Sequence, residues 1–396
     1  CPVKTFPAFQ GVLFYDAAIK SFNLLQPFYL ISEFSQIKLT CCKKYSNMKF
    51  LKMDRIKFAV GYQLQEEKDE PPFSEIVERF GGEIAEVYFP WADMASGRAP
   101  LLSRRGYVFW DGQKKLEDDL GYIRKKKIKL NLLLNSNCYG QHAASEYLRN
   151  QAVSVLEHLQ NLVGGVEIVT TASLTIARVI KKEFPSIDIR ASVNMRIGTI
   201  AGMEYLSEYF DSYYLQREYN RNMGYVKRIK KWADKNNKGL FLLVNSGCLN
   251  FCSAQTFHDN MVAHEKEIAE MVNIKECPPT LCWNYYRNPE KWRAILQGSW
   301  IRPEDLHNYD GIIPSMKLAT RMHSNPMQVI DAYVKRAFNG NLVELFEPGF
   351  SSVIYPYIID NKKFPEDWFD KTSGCSQNCE ECNYCAQVLK QVLSKA

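Results

Sequence analysis

Twelve cysteines stand in this chain of 396 residues, against six histidines, and their spacing is the first sign of chemistry. Cys375, Cys379, Cys382 and Cys385 form a C-x3-C-x2-C-x2-C run, Cys248 and Cys252 are separated by three residues, Cys277 and Cys282 by four, and Cys138 stands alone. Thiolates are soft ligands that hold zinc or iron–sulfur clusters, and short spacing lets one loop supply several of them at about 2.3 Å. Where thiols are kept reduced, dense cysteines point to metal or redox chemistry and away from structural disulfides. The terminal run therefore reads as a metal site, with zinc and a second cluster as its two alternatives. Cys375, Cys379 and Cys382 also have the spacing of radical S-adenosylmethionine enzymes. That motif normally follows the first barrel strand and leaves one iron open, whereas here the run trails the last barrel helix and Cys385 can fill the fourth position.

Elements must exist to bring such groups together. From Ile56 onward, short apolar or β-branched runs alternate with helical patterns, giving eight candidate strands: Ile56–Tyr62, Glu86–Phe89, Ile128–Leu134, Val166–Thr170, Ile187–Val193, Ser212–Leu215, Leu240–Val244 and Gly311–Ser315. Between them lie amphipathic stretches such as Ala144–Leu162, where Tyr147, Val153, Val155, Leu156 and Leu159 sit close to helical spacing. This alternation implies parallel pairing with helical crossovers, and eight units fit an α/β (β/α)8 TIM-like barrel of somewhat irregular form. No Gly-x-Gly-x-x-Gly follows an early strand, which disfavours an open dinucleotide-binding sheet. The barrel is expected over 53–340, with a Cys-rich insertion at 245–299 and a C-terminal extension at 341–396 that carries the metal-binding tail. Trp368 and Phe369 would anchor that tail on the barrel.

In a parallel barrel the working face lies at the carboxyl ends of the strands. Those ends here read Asn135-Ser136-Asn137-Cys138, Thr170-Thr171, Asn194-Met195-Arg196, Gln216-Arg217-Glu218 and Asn245-Ser246-Gly247-Cys248, and they converge on one expected pocket. Arg196, Arg217 and Arg321 suit an organic anion because a planar guanidinium can bind both carboxylate oxygens. Glu218 and His258 are the candidates for moving protons, and Gly247 is expected to permit a tight turn beside Cys248.

Composition narrows the classes further. The chain is 46% hydrophobic and 24% charged, with no apolar run near the roughly 20 residues that span a bilayer. Residues 1–52 hold seven Lys and two acidic residues, show no periodicity, and read as a leader that is disordered or foreign to the folded protein; residues 53–396 carry 43 basic against 42 acidic side chains. Near-neutrality gives no general electrostatic case for nucleic acid, although Arg124–Lys127 and Lys227–Lys231 are local basic patches. No signal-peptide pattern is found, so a cytoplasmic location is expected, with no membrane partner.

Five linked blocks then resemble a known family: Tyr214–Arg221; Val244–Cys252 with His258; Trp300–Leu306; Lys317–Arg321; and Asp331-Ala332-Tyr333. Their order and spacing are similar to those of the collagenase-like peptidase family, peptidase family U thirty-two, over about residues 54–385. The resemblance implies a barrel carrying an oxygen-labile 4Fe-4S cluster held by four Cys. Members include hydroxylation proteins of transfer and ribosomal RNA, paired accessory proteins of oxygen-independent ubiquinone synthesis, and proteins labelled peptidases. Carried over, Cys248, Cys252 and Cys282 would be ligands, with Cys277 or Cys138 as the fourth. Thr320 stands where the family usually has Gly, and the Gly-Arg-Cys segment of the RNA-hydroxylating members is absent, so RNA has little support as a substrate.

Three functions follow as expectations. The first is oxygen-independent hydroxylation or related redox chemistry, with Arg217, Glu218 and His258 as catalytic groups and Asn194, Arg196, Gln216, Asn245, Lys317 and Arg321 holding a small organic anion or peptide. The second is a peptidase; no Gly-x-Ser-x-Gly or His-Glu-x-x-His is present, which leaves Cys248 with His258, or Glu218, to do the work. The third is a non-catalytic iron–sulfur protein that acts with a protein partner.

Overall fold

The computed structural model describes residues 55–64, 71–92, 94–97, 103–104, 107–108, 110–274 and 281–396. The expected leader at 1–52 and Cys277 lie outside the described residues. Eight strands alternate with helices: β1 (Lys57–Gly61), β2 (Ile84–Pro90), β3 (Lys129–Leu134), β4 (Ile168–Thr171), β5 (Asp188–Ala191), β6 (Ser212–Tyr214), β7 (Gly239–Leu243) and β8 (Ser315–Lys317). Each pairs in parallel with its sequence neighbours, and β1 closes on β8, so the sheet is a (β/α)8 barrel.

One strand lies further on than its apolar run. The Gly311–Ser315 expectation followed Ile312 and Ile313, yet Gly311 has φ +73° and these residues close the turn after the 3-10 helix Pro303–Tyr309. The strand begins only after Pro314, where Met316 pairs with Leu242 of β7. In the helix Glu146–Val163 the buried face is Leu148, Ala152, Leu156 and Leu159; Leu156 and Leu159 are as expected, whereas Leu148 and Ala152 take the places given to Tyr147 and Val153, and Tyr147 is exposed. Ser145 caps that helix by accepting from the Leu148 N–H, and Gly164 ends it at φ +75°, as a left-handed C-terminal residue does.

The outward faces of the strands pack against the helix ring with residues such as Val60, Val87, Leu130 and Ile189, all buried. Inside, the lower barrel is polar. Arg190 of β5 donates to Glu86 Oε1 and Oε2 of β2 at 2.7 and 2.9 Å, to Ser212 Oγ at 3.0 Å and to Asp188 Oδ2 at 3.1 Å. Asn131 of β3 donates to Glu86 Oε1 at 2.8 Å and accepts from Thr170 of β4 at 2.9 Å, so one network ties five strands together. Burial disfavours the charge on Arg190, but Glu86, Tyr214 and Asp188 together outweigh it and the guanidinium stands above its ordinary pKa. Side chains alternate along a strand, so Tyr88 and Leu133 stand one inward step above Glu86 and Asn131, toward the mouth.

The extension folds onto the barrel through aromatic packing. Trp368 is buried and stacks on Trp300 (5.8 Å, 13°) and Tyr384 (6.1 Å, 19°), and Tyr357–Ile359 pairs antiparallel with Leu393–Lys395. No described helix is long and apolar enough to cross a membrane.

Asp305, in the Pro303–Tyr309 turn, is buried, and its Oδ2 has no hydrogen-bond partner. Burial pushes its carboxyl up to about 6 from 3.8, against the opposing pull of Arg302. The folded state thus holds this proton more tightly than the unfolded chain, a contribution present below pH 3.8 and lost as pH rises through about 6. Asp305→Asn should raise unfolding free energy by roughly 1–3 kcal/mol at pH 8 and leave it nearly unchanged at pH 3.5. Urea midpoints at the two pH values check this, and equal shifts at both would show that titration is not the cause.

Candidate functional site

The carboxyl ends of the strands enclose a cavity of about 340 Å³. Tyr88 of β2, Leu133 of β3, Leu243 of β7 and Lys317 of β8 line it from the strands, and Asn135, Asn194, Arg217, Ser246 and Cys248 from the tips that follow. The helix Gln255–Ala263 contributes Gln255, His258 and Asp259, and the helix Leu281–Tyr286 contributes Cys282 and Trp283. Cys252 and Arg321 complete the reactive lining. Three thiols, three cations and an imidazole therefore share one space.

Each cation is placed by the fold. Lys317 Nζ lies 4.0 Å from the Tyr88 ring centroid and 5.3 Å from that of Tyr214, cation–π contacts that hold it at the end of β8. Arg321 donates to Ser96 Oγ at 3.1 Å. The segment carrying Ser96 is fixed in turn by Asn135, whose Oδ1 accepts the Gly97 N–H at 3.0 Å. Arg217 is buried, 3.7 Å from Glu218 and 3.4 Å from Ser246 Oγ. Desolvation works against its charge, but Cys248, Glu218, Asp259 and Cys252 more than offset this, so its pKa is raised.

The thiols respond to burial and to one another. Burial pushes the Cys282 thiol up to about 11, with Cys248 and Cys252 acting in the same direction. Among the described residues no three His, Cys, Asp or Glu side chains converge as they would around a single ion. An iron–sulfur cube binds each thiolate on a different iron and so spaces them wider than one ion does. The donor type, the shared cavity and the buried cation of Arg217 beside Cys248 suit such a group.

Several expected site residues have other work. Asn245 is fully buried; its Nδ2 donates to Ala319 O and Leu345 O at 3.2 and 2.9 Å, and its Oδ1 accepts the Ala319 N–H at 2.6 Å. It clamps β7 to β8 and to the extension and does not line the cavity. Arg196 turns to Thr256 Oγ1 at 2.6 Å, Gln216 packs over Gly198, and Glu218 lies behind Arg217 with Oε2 buried and unpartnered. Cys138, whose sulfur accepts the Gly140 N–H at 3.4 Å, is outside the lining, as are Cys375, Cys379, Cys382 and Cys385. Gly247 serves a close approach instead of a left-handed turn: a Cβ there would meet Pro348 O at 2.2 Å.

The cavity also includes residues that the motifs passed over. Asp259, adjacent to His258, accepts from Asn137 Nδ2 at 3.2 Å. Glu347 and Pro348 come from the extension, carried to the mouth by a bridge between Ser246 and Glu347. Asn135 heads a polar strand tip and was legible as such; nothing in the local sequence marks Glu347, because only tertiary folding brings it there.

No family model matches the chain. It is 24% identical over 330 residues to "Uncharacterized protease MJ1657" of Methanocaldococcus jannaschii, an alignment covering 78% of this chain and 89% of that protein. Among solved structures it is similar to the "U32 Peptidase Mk0906" (TM-score 0.47, 14% identity, 67% of this chain and 92% of that one). It is also similar to a glycoside hydrolase family 5 mannosidase from Rhizomucor miehei (TM-score 0.38, 10% identity, 67% and 82%). The five linked sequence blocks and the relative aligned along most of both chains thus make this chain similar to the collagenase-like peptidase family, peptidase family U thirty-two.

Proposed function

We propose that the cavity is a redox or oxygen-transfer site for a small organic anion, built around an iron–sulfur cluster held by Cys248, Cys252 and Cys282 with Cys277 or Cys138 as the fourth ligand. The observation that carries this reading is that three thiols and three cations line one cavity of about 340 Å³ at the barrel mouth. When bound, a cluster supplies one-electron chemistry. The chain's own residues do the rest. Arg321 and Lys317 bind the anion's charged end from the β8 side, and Arg217 compensates the thiolates. The apolar walls of Leu133, Val193 and Leu243 limit water, and His258 is the proton carrier within the lining. Glu218, expected as an alternative, does not face the cavity and acts through Arg217.

Purification without oxygen followed by iron, sulfide and zinc analysis tests this proposal. About four irons with matching sulfide at this site are expected; zinc without iron removes the redox reading.

A second reading is favoured by one observation: Cys248 and Cys252 share the cavity with His258, next to Asp259. A thiol activated by an imidazole is the basis of cysteine peptidases. Under that reading, protein purified without oxygen cleaves peptides and His258→Ala lowers the rate by 10²-fold or more, the size of a lost general base. Cleavage unaffected by His258→Ala rules it out.

A further inference from the structure

The most informative unexplained group is Arg221. It follows the 3-10 turn Arg217–Tyr219, one helical turn beyond Arg217, and points away from the cavity toward the C-terminal tail. Its guanidinium carbon lies 5.1 Å from the Trp300 ring centroid and 5.3 Å from that of Trp368, the two rings that stack to anchor the extension. Nη2 donates to Gly298 O at 2.5 Å and to Leu296 O at 3.1 Å, while Nη1 is buried with no hydrogen-bond partner. Asp305 is within electrostatic reach but makes no ion pair with Arg221 among the described residues. A cation held in aromatic surroundings costs several kcal/mol unless an anion faces it.

Cys385 exerts the largest pull on the charge of Arg221, ahead of Tyr309, Asp305 and Cys375. Cys385 and Cys375 both act on Arg221, and Cys375, Cys379 and Cys382 all stand within electrostatic reach of Cys385. The four occur within eleven residues. Cys385 sits in the first turn of the helix Tyr384–Val392, whose Tyr384 stacks on Trp368. The loop before it is already folded back: Gln377 has φ +62°, and its N–H donates to Cys375 Sγ at 3.3 Å. Cys375 and Cys382 are exposed and Cys379 and Cys385 half-buried; their sulfurs do not converge around a single ion in this structure, so a bound metal would have to draw them together.

We propose that Cys375, Cys379, Cys382 and Cys385 form a tetrathiolate metal centre, separate from the barrel-mouth cavity, with Arg221 as its counter-cation. As thiols these groups are neutral and leave Arg221 with no ion pair among the described residues, only the longer-range influence of Asp305. Four thiolates around one Zn²⁺, or around a 4Fe-4S cluster, carry a net charge of about −2, the anion that the partnerless Nη1 lacks. Arg293 is a second cation on the same side, acting on Cys379. The centre also touches the segment that feeds the cavity, because Gln377 Nε2 donates to Glu218 O at 3.5 Å. Occupancy of the tail thus holds the turn that carries Arg217 to the barrel mouth.

The test uses the full chain, purified without oxygen from cells grown with both iron and zinc, beside a Cys375→Ser/Cys382→Ser double variant and Cys248→Ser. The tail variant is expected to lose one zinc, or about four irons with their sulfide, whichever the site holds. Metal content equal to wild type overturns the proposal. Metal that disappears with Cys375 and Cys382 but is indifferent to Cys248→Ser upholds the tail centre even where the cavity reading fails; a wild-type chain without metal ends both. Chelator competition then tests Arg221. Arg221→Met should release the tail metal at least 10-fold faster than wild type, with Arg221→Lys closer to wild type, and a folded Arg221→Met with unaltered release removes the role given to Arg221. If Arg221→Met does not fold, the cysteine pair decides.

Discussion

Replacing Glu86 by Ala is expected to destabilise the barrel by about 3–5 kcal/mol, the usual consequence of leaving a buried charge without its partner. Arg190 is 2% exposed, and Glu86 is its bidentate acceptor across the barrel interior. The deletion also removes the acceptor for Asn131 Nδ2, so one substitution opens two buried donors. A urea denaturation midpoint measures the loss. The informative control is the pair Glu86→Leu with Arg190→Met, in which both charges go and apolar volume is kept. That double variant should recover most of the stability, because desolvation of the pair nearly cancels its attraction. A double variant as unstable as Glu86→Ala would mean that Asp188, Ser212 and Asn131 depend on the pair to remain placed, and that the network fixes strand order as well as bearing charge.

That network shows what could be read from the chain alone and what could not. The barrel was legible because each of the eight strands is a local event, a short apolar run between helical repeats; only the eighth slipped, since Ile312 and Ile313 are apolar for reasons of turn packing. The cavity's strand-tip residues were legible by the same logic, because a parallel barrel sends every strand end to one face. Glu86 and Arg190 were also visible in principle, as charged residues within barrel strands whose inward faces must find partners. Asn245 misled because a polar residue at a strand tip serves equally to clamp backbone, and the choice depends on Ala319 and Leu345, which lie far away in sequence. Glu347 was invisible for the same reason. Local pattern sets which elements form and which face they present; side-chain direction within the mouth is decided by contacts of long sequence separation.

The largest functional effect is expected from Cys248→Ser. Cys248 is the thiol whose backbone is most tightly specified: the Gly247 N–H donates to Glu347 O at 3.2 Å, Ser246 bridges to Glu347, and there is no room for a side chain at Gly247 beside Pro348. Serine is nearly isosteric and the position is half-buried, so the change should leave the barrel folded and alter only the ligand atom. If the cavity holds a cluster, the variant should lose its iron, its sulfide and the absorbance near about 400 nm together, since an alkoxide is a poor substitute for a thiolate toward iron. The same measurement on Cys277→Ser and Cys138→Ser identifies the fourth ligand: the true one should behave like Cys248→Ser and the other like wild type. Cys138 already engages the Gly140 N–H outside the cavity lining, which favours loss with Cys277. Unchanged absorbance in Cys248→Ser would remove the cavity cluster and leave His258 and the two neighbouring thiols as the groups whose chemistry has to be explained.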